Sequence, residues 1–304
     1  MSFYVTILGS SSAIPSYKRN LAAHLVNHDE RLFLIDCGEG TQMQLLRYNL
    51  KFHRINHIFI SHLHGDHVFG LFGLLATLSM ANRKSPLNIY SHYSLEEIVQ
   101  THLKLFNYEL TFPLIFHKIN HKDSQILYDD KKLEVHTIPL KHRIPCVGFL
   151  FKEKQKLLTI NKELISVFDI PVKEIFNIKS GSDFVTKEGR VIPNNVLTQK
   201  SAPPKSYAYC TDTLIQEKNV DLIKDVDLLY HEATFLERDA KLAKNTYHST
   251  AHQAAALAQK ANAQKLVIGH FSNRYNNDYD FLVEAKSVFE NTILAEDGAT
   301  IEIS

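Results

Sequence analysis

The feature that most constrains this chain is the passage from the apolar run "HIFI" (57–60) into "SHLHGDH" (61–67), where three histidines and an aspartate fall within seven positions. The apolar run reads as a buried strand. Alternate side chains of an extended chain share a face, so the spacing points His62 and His64 to one side. Gly65 permits a sharp turn that brings Asp66 and His67 to the same space from the start of the next helix, "VFGLFGLLATLSMA". Imidazole nitrogen and carboxylate oxygen suit zinc or a similar divalent ion. The chain must therefore deliver one strand end to a polar centre.

Around this point strand and helix patterns alternate. "FYVTILGS", "AAHLVNH" and "RLFLIDCG" read as strands, the last two joined by the polar turn "NHDE". "EGTQMQLLRYNL" has helical spacing, "LNIYS" is a strand, and "SLEEIVQTHLKLF" is a helix with Ser94 as its N-cap. "KLEVHTIPL" and "VGFLFKE" continue as strands; from 152 to 200 the texture turns Lys-rich with few strand signals. Strand and helix patterns resume in "SYAYCTD", "DLLYHEAT", "TAHQAAALAQKANA", "KLVIGHFS" and "TILAEDGATIEIS". The two halves repeat an order of strands, a histidine-ended strand, then helices. This predicts an α/β (α+β) fold in four αββα layers over residues 1–304, with residues 152–200 inserted as a protruding arm.

Bulk composition narrows the class. With 34 basic and 33 acidic residues, global charge neither favours nor excludes a nucleic-acid partner. The three cysteines, Cys37, Cys146 and Cys210, are far apart and form no C-x-x-C pair, which argues against a disulfide framework or a thiolate zinc site. No segment approaches the roughly 18 continuous apolar residues of a membrane span, and "MSFYVTILGSSSAIP" does not read as a signal peptide. The expectation is a soluble cytoplasmic protein without a membrane partner.

The H-x-H-x-D-H pattern after a strand resembles the hallmark of the metallo-β-lactamase superfamily, whose αββα order the chain also resembles. That resemblance implies three further ligands from distant strand ends, and the chain has His142 in "PLKHRIP", Asp212 in "YCTDT" and His270 in "VIGHFS". It further implies two zinc ions: His62, His64 and His142 on one, Asp66, His67 and His270 on the other, and Asp212 bridging. Paired cations can activate water and clamp an anionic oxygen during in-line attack on phosphorus. Asp36 of "LIDCGEG" matches a carboxylate of the superfamily that orients a ligand histidine; its plainer reading is a strand-end aspartate.

Superfamily membership alone fixes no substrate. Three further stretches, "HEAT" (231–234), "YHSTA" with His248, and "GDHVFGLFGLL", resemble the ribonuclease Z family, and the likeness runs from "ILGSSSAIPS" to about "GHFSNRY". It implies an endoribonuclease that cuts the 3′ trailer from precursor tRNA after the discriminator nucleotide. Asp66 would be the proton acceptor and His248 the proton donor to the leaving 3′ oxygen, with Glu232 holding the other ring nitrogen of His248. His231 reads as structural. A homodimer is implied by the same likeness, and no organic cofactor is.

Two stretches depart from the family. Its P-x-K-x-R-N loop, thought to sense a CCA end, stands here as "PSYKRN", with Tyr17 for the lysine and Lys18 displaced by one. The family's tRNA-gripping arm has a Gly-Pro-rich tip, whereas residues 152–200 contain no Gly-Pro pair and carry nine basic against six acidic residues, a net +3. An arm touching several phosphates would still make binding salt-dependent. The other readings are a related phosphodiesterase or ester hydrolase acting on a small molecule, a non-catalytic metal-holding subunit, and an exported antibiotic hydrolase.

Overall fold

The structure, a computed structural model, describes residues 2–303. The strands Phe3–Gly9 (β1), Ala23–His28 (β2), Arg31–Ile35 (β3), Ile55–Phe59 (β4), Leu87–Ser91 (β5) and Leu114–Lys118 (β6) come first. Next come Ile126–Asp129 (β7), Leu133–Pro139 (β8), Val147–Glu153 (β9), Ser206–Cys210 (β10) and Leu228–Glu232 (β11). Lys265–Gly269 (β12), Thr292–Leu294 (β13) and Thr300–Glu302 (β14) complete the set. They form two seven-stranded sheets, ordered β14-β1-β2-β3-β4-β5-β6 and β13-β12-β11-β10-β9-β8-β7.

Both faces of each sheet are covered, which is why central strands such as β2 and β11 are buried along their whole length rather than alternating. The inner faces meet in an aromatic layer: Phe33 packs edge-on against Phe151 at 5.7 Å, and Phe59 lies 5.5 Å from Phe149. Leu32, Leu34 and Ile58 point the other way, into a cluster with Leu71, Leu74 and Leu78 of the helix Gly70–Met80. The second sheet is backed by the helix Ala251–Lys260, whose Ala254, Ala255 and Ala258 bring its backbone close to Leu229, Leu266 and Ile268. Layers of helix, sheet, sheet and helix thus enclose this aromatic layer.

Local chemistry fixes the connections. In "NHDE", Asp29 and Glu30 take φ of 50° and 65°, the left-handed pair that suits a two-residue hairpin between twisted strands. "TILAEDGATIEIS" is not one hairpin: β13 runs parallel to β12, whereas β14 pairs antiparallel with β1 in the other sheet. The helix over 94–105 starts at Ser94, but the cap position is Tyr93 and no side chain caps it; the Ser94 N–H meets His92 Nδ1 at 3.4 Å instead. The three cysteines are free and buried. Among the described residues no helix is long and apolar enough to cross a membrane.

Residues 130–133 and 153–204 form a compact unit of their own. Its core is small: Ile170, Ile178, Phe184, Ile192 and Leu197. Around it stand the helices Lys162–Val167, Val172–Lys179 and Asn194–Leu197 and two ribbons of two-residue strands. Strands this short leave little pattern to read, which explains the weak strand signal of this stretch.

Candidate metal centre and active site

The site is built at the carboxyl ends of parallel strands, where α/β sheets leave a crevice. β4 stops at Phe59, so His62 and His64 lie beyond the sheet in an extended segment rather than on strand positions. Gly65 needs no unusual backbone; it is the first residue of the helix Gly65–Val68, and a Cβ there would meet the Phe69 ring at 2.2 Å. Gly70 is a matter of close approach, since a Cβ would fall 2.0 Å from the Gly38 carbonyl oxygen. The turn is thereby clamped to the exit of β3: Cys37 N–H donates to His67 O at 2.8 Å and Gly70 N–H to Cys37 O at 2.9 Å.

Three other residues leave their strands through a left-handed backbone: Asp36 (φ 55°) after β3, Asp212 (φ 32°) after β10 and His270 (φ 61°) after β12. Aspartate and histidine tolerate this conformation better than most residues, at a cost of order 1 kcal/mol or more each. The kink swings each side chain out of the sheet and onto the 62–67 turn.

Two nests of donor atoms result. His62 Nε2 and His142 Nε2 lie 3.1 and 3.2 Å from His64 Nδ1, and 3.5 and 3.8 Å from Asp212 Oδ2. His67 Nε2 and His270 Nε2 lie 3.4 and 3.2 Å from the other oxygen of Asp212, Oδ1, and 3.6 and 3.7 Å from Asp66 Oδ2. Asp212 thus presents one oxygen to each nest. All seven residues brought together here are those the sequence singled out.

The outward nitrogens explain why the inward ones are bare. Ser61 Oγ and Thr234 Oγ1 donate to Asp36 (2.9 Å) and Glu232 (2.7 Å), so each hydroxyl accepts from a ring N–H: His62 Nδ1 at 3.0 Å and His270 Nδ1 at 2.9 Å. His67 Nδ1 donates to Asp36 Oδ2 at 2.8 Å, and His142 Nδ1 to Tyr247 O at 3.2 Å. With Nδ1 protonated, Nε2 carries a lone pair. His67 Nε2 and His270 Nε2 are buried with no hydrogen-bond partner among the described residues. Burial lowers the pKa of His62, His64 and His142, keeping them neutral. Burial works against charge on His67 too, but Asp212, Asp36 and Asp66 outweigh it and hold that imidazole well above its ordinary value. Neutral lone pairs and a carboxylate field that draws positive charge are what a metal cation requires, so the residues fit the group.

Asp36 is fully buried and saturated: it accepts from Ser61 N–H, Ser61 Oγ, His67 Nδ1 and Tyr209 OH at 2.7–2.9 Å. Asp36→Ala is expected to lower metal affinity about 10–100-fold, because His67 loses the group that fixes its tautomer. Metal titration followed by mass spectrometry of the bound ion tests this. Ser61, Tyr209 and Thr234 were not distinguishable by spacing. Thr211 donates its hydroxyl to Asp212 Oδ1 at 2.7 Å.

Beside the nests stands a second pair. Glu232, at 0% exposure, accepts at Oε1 from Thr213 N–H, Ser249 N–H and His248 Nδ1, each at 3.0 Å, and at Oε2 from Thr234 N–H and Oγ1. Burial opposes protonation of His248, but the Glu232 carboxylate more than offsets it and raises the imidazole pKa to about 9. The His248 ring stacks on His270 at 5.5 Å. His231 is buried with Nδ1 on the Glu232 carbonyl at 2.7 Å, away from this chemistry.

Asp66, His64, His142, Asp212, His248 and His270 open into a cavity of ≈ 610 Å³. The 15–20 loop borders it through Pro15, and Ala13 N–H donates to Asp66 Oδ2 at 2.9 Å. Arg19 is engaged by Asp278, and Asn20 Nδ2 by Asp297 at 3.1 Å, whereas Tyr17 is fully exposed.

Fold and site together define a metallo-β-lactamase-fold protein with a His/Asp cluster able to hold metal. The crystal structure of the metallo-β-lactamase fold protein YhfI from Bacillus subtilis superposes with a TM-score of 0.70 at 18% identity, covering 99% of this chain and 100% of that one. The chain belongs, more specifically, to the ribonuclease Z family. It is 48% identical to Ribonuclease Z of Bacteroides thetaiotaomicron over 99% of this chain and 96% of the relative, and 42% identical to that of Porphyromonas gingivalis over 99% of each. The crystal structure of human tRNase Z, short form, matches at 30% identity and a TM-score of 0.73 over 99% of both chains. Residues 3–166, just over half the chain, also match the family model described as Anti-Pycsar protein Apyc1, so the chain falls within that family as well.

Proposed function

We propose that this protein is a zinc-dependent endoribonuclease that removes the 3′ trailer from tRNA precursors in the cytoplasm, cutting after the discriminator nucleotide. The observation that carries the reading is the pair of donor nests sharing Asp212 beside the His248–Glu232 pair, in a chain of the ribonuclease Z family. His62, His64, His142 and Asp212 would hold one zinc ion, and Asp66, His67, His270 and Asp212 a second. Such ions, when bound, supply Lewis acidity that polarises a phosphoryl oxygen and makes water nucleophilic at neutral pH.

The side chains then divide the proton transfers. Asp66 takes a proton from the attacking water. As the new P–O bond forms and the bond to the 3′ oxygen breaks, His248 delivers its proton to that oxygen, and Glu232 stabilises and aims the imidazolium. The products are a 3′-hydroxyl on the tRNA and a 5′-phosphate on the trailer.

The test is to incubate the purified protein with a precursor carrying a 3′ trailer, with and without CCA, and to map the cut. Cleavage after the discriminator, lost on chelation and restored by zinc at about two ions per chain, is expected. An intact precursor alongside rapid hydrolysis of a cyclic nucleotide would sink the reading.

The separate unit, 130–133 and 153–204, is assigned to bind the tRNA, and the working form is a homodimer. Lys162 and Lys173 stand exposed on two of its helices. Changing both to glutamate should raise KM with little effect on kcat. It should also flatten the dependence of binding on salt, by about 1 in slope for each phosphate that is no longer neutralised. Binding measured from low to high salt checks this.

A further inference from the structure

His248 lines two hollows. One is the cavity over the donor nests; the other is a groove of ≈ 720 Å³ that contains none of the nest residues. Its size lies within the range of pockets that enclose small organic ligands. Leu214, Ile215, Ala256 and Leu257 line it with apolar surface, and Lys241 and Lys244 of the helix Ala240–Thr246 stand at its rim. We propose that this groove seats the discriminator nucleotide, the one whose 3′ oxygen departs, with its base against the apolar lining and its 5′ phosphate on Lys241 and Lys244. The proposal rests on the endonuclease reading above and adds to it a place for one nucleotide.

Position is the first argument. In an in-line displacement the attacking and leaving oxygens lie on opposite sides of phosphorus. The proton donor to the leaving oxygen marks the departing side, and the ribose carrying that oxygen must continue beyond it. His248 lines this groove as well as the cavity over the nests, so a ribose held at His248 has the groove beside it.

Charge is the second. Lys260 is neutralised by Glu217, and Glu237 is occupied by the Thr250 hydroxyl. Lys241 and Lys244 form no ion pair among the described residues, and with Lys260 they outnumber the two carboxylates of the lining, Glu217 and Glu237, so the groove keeps a positive excess suited to a phosphate. The third argument is the lining itself. Gln253, the amide in the wall, has its carbonyl oxygen tied to Thr250 N–H at 3.2 Å. The four apolar side chains meet a base through its face, which every base possesses. The groove should therefore bind the discriminator with little preference among bases.

Two measurements test this. A precursor with 4-thiouridine at the discriminator, bound to the Asp66→Ala protein so that it stays uncut, should crosslink within residues 240–260; the same label one nucleotide into the trailer should not. A double comparison then pairs Ala256→Phe, which fills the groove, with a precursor abasic at the discriminator. Each change alone should cost about tenfold in kcat/KM, and both together little more than either, because they remove the same interaction. Lys244→Glu, which reverses an exposed charge and leaves the apolar side chains of the groove in place, should raise KM about tenfold. Discriminator crosslinks confined to the 12–21 loop, or losses that multiply to about a hundredfold, would overturn the groove while the endonuclease reading stands. If the native protein leaves the intact precursor uncut, both fall.

Discussion

Asp66→Ala is expected to reduce precursor cleavage below detection, the largest loss of any single substitution here. Two functions meet in one carboxylate. Its Oδ2 faces His67 Nε2 and His270 Nε2 at 3.6 and 3.7 Å, completing the second donor nest, and it is held by the Ala13 N–H at 2.9 Å. Burial alone would raise its pKa, but the neighbouring histidines, His67 foremost, keep it well below the usual carboxylate range, so the group is ionised at neutral pH. Loss of the proton acceptor should cost on the order of 10²–10⁴ in rate, and loss of a ligand multiplies that by the fall in occupancy. Asp66→Asn separates the two effects in part, since the amide oxygen can still meet the Ala13 N–H but cannot take up a proton. Both variants should be inactive, and the alanine variant should carry about one ion per chain instead of two. Parental cutting rates from a variant with a native melting curve would remove Asp66 from the chemistry.

The sequence is most informative where one kind of residue has to do an unusual thing. Four metal-type donors within six positions have few structural uses, and the apolar runs ahead of Asp212 and His270 place these two at strand ends on pattern alone. The reason those ends face the 62–67 turn is hidden. It lies in the left-handed backbone at Asp36, Asp212 and His270, which aspartate and histidine allow but do not announce. Gly65 illustrates the converse: a glycine that reads as a turn device serves instead to make room for Phe69. The hydroxyls of Ser61 and Thr234, which set the tautomers of His62 and His270, belong to residue types too common for spacing to single out. The groove beside His248 is invisible in sequence for a further reason: its lining comes from 214–217 and 237–260, segments that meet only in the folded chain.

His248→Ala is expected to slow the chemical step by about 10²-fold or more with KM little changed, since a proton donor acts on the transition state rather than on binding. The variant is a clean one. Glu232 loses its imidazolium partner but keeps four of its five donors, namely Thr213 N–H, Ser249 N–H and both groups of Thr234, so the buried carboxylate stays hydrogen-bonded and the site stays folded. Glu232→Ala is not equivalent, because it strips all of those donors of their acceptor at once. A substrate change isolates the proton: a precursor whose scissile 3′ oxygen is replaced by sulfur has a leaving group that departs as a thiolate and needs no protonation. On that substrate the His248→Ala protein should cut at nearly the parental rate, measured in a single turnover. Asp66→Ala should remain dead on it, because the attacking water still needs its acceptor. Equal losses for His248→Ala on the oxygen and sulfur substrates would show that His248 orients the phosphate instead of protonating the leaving group.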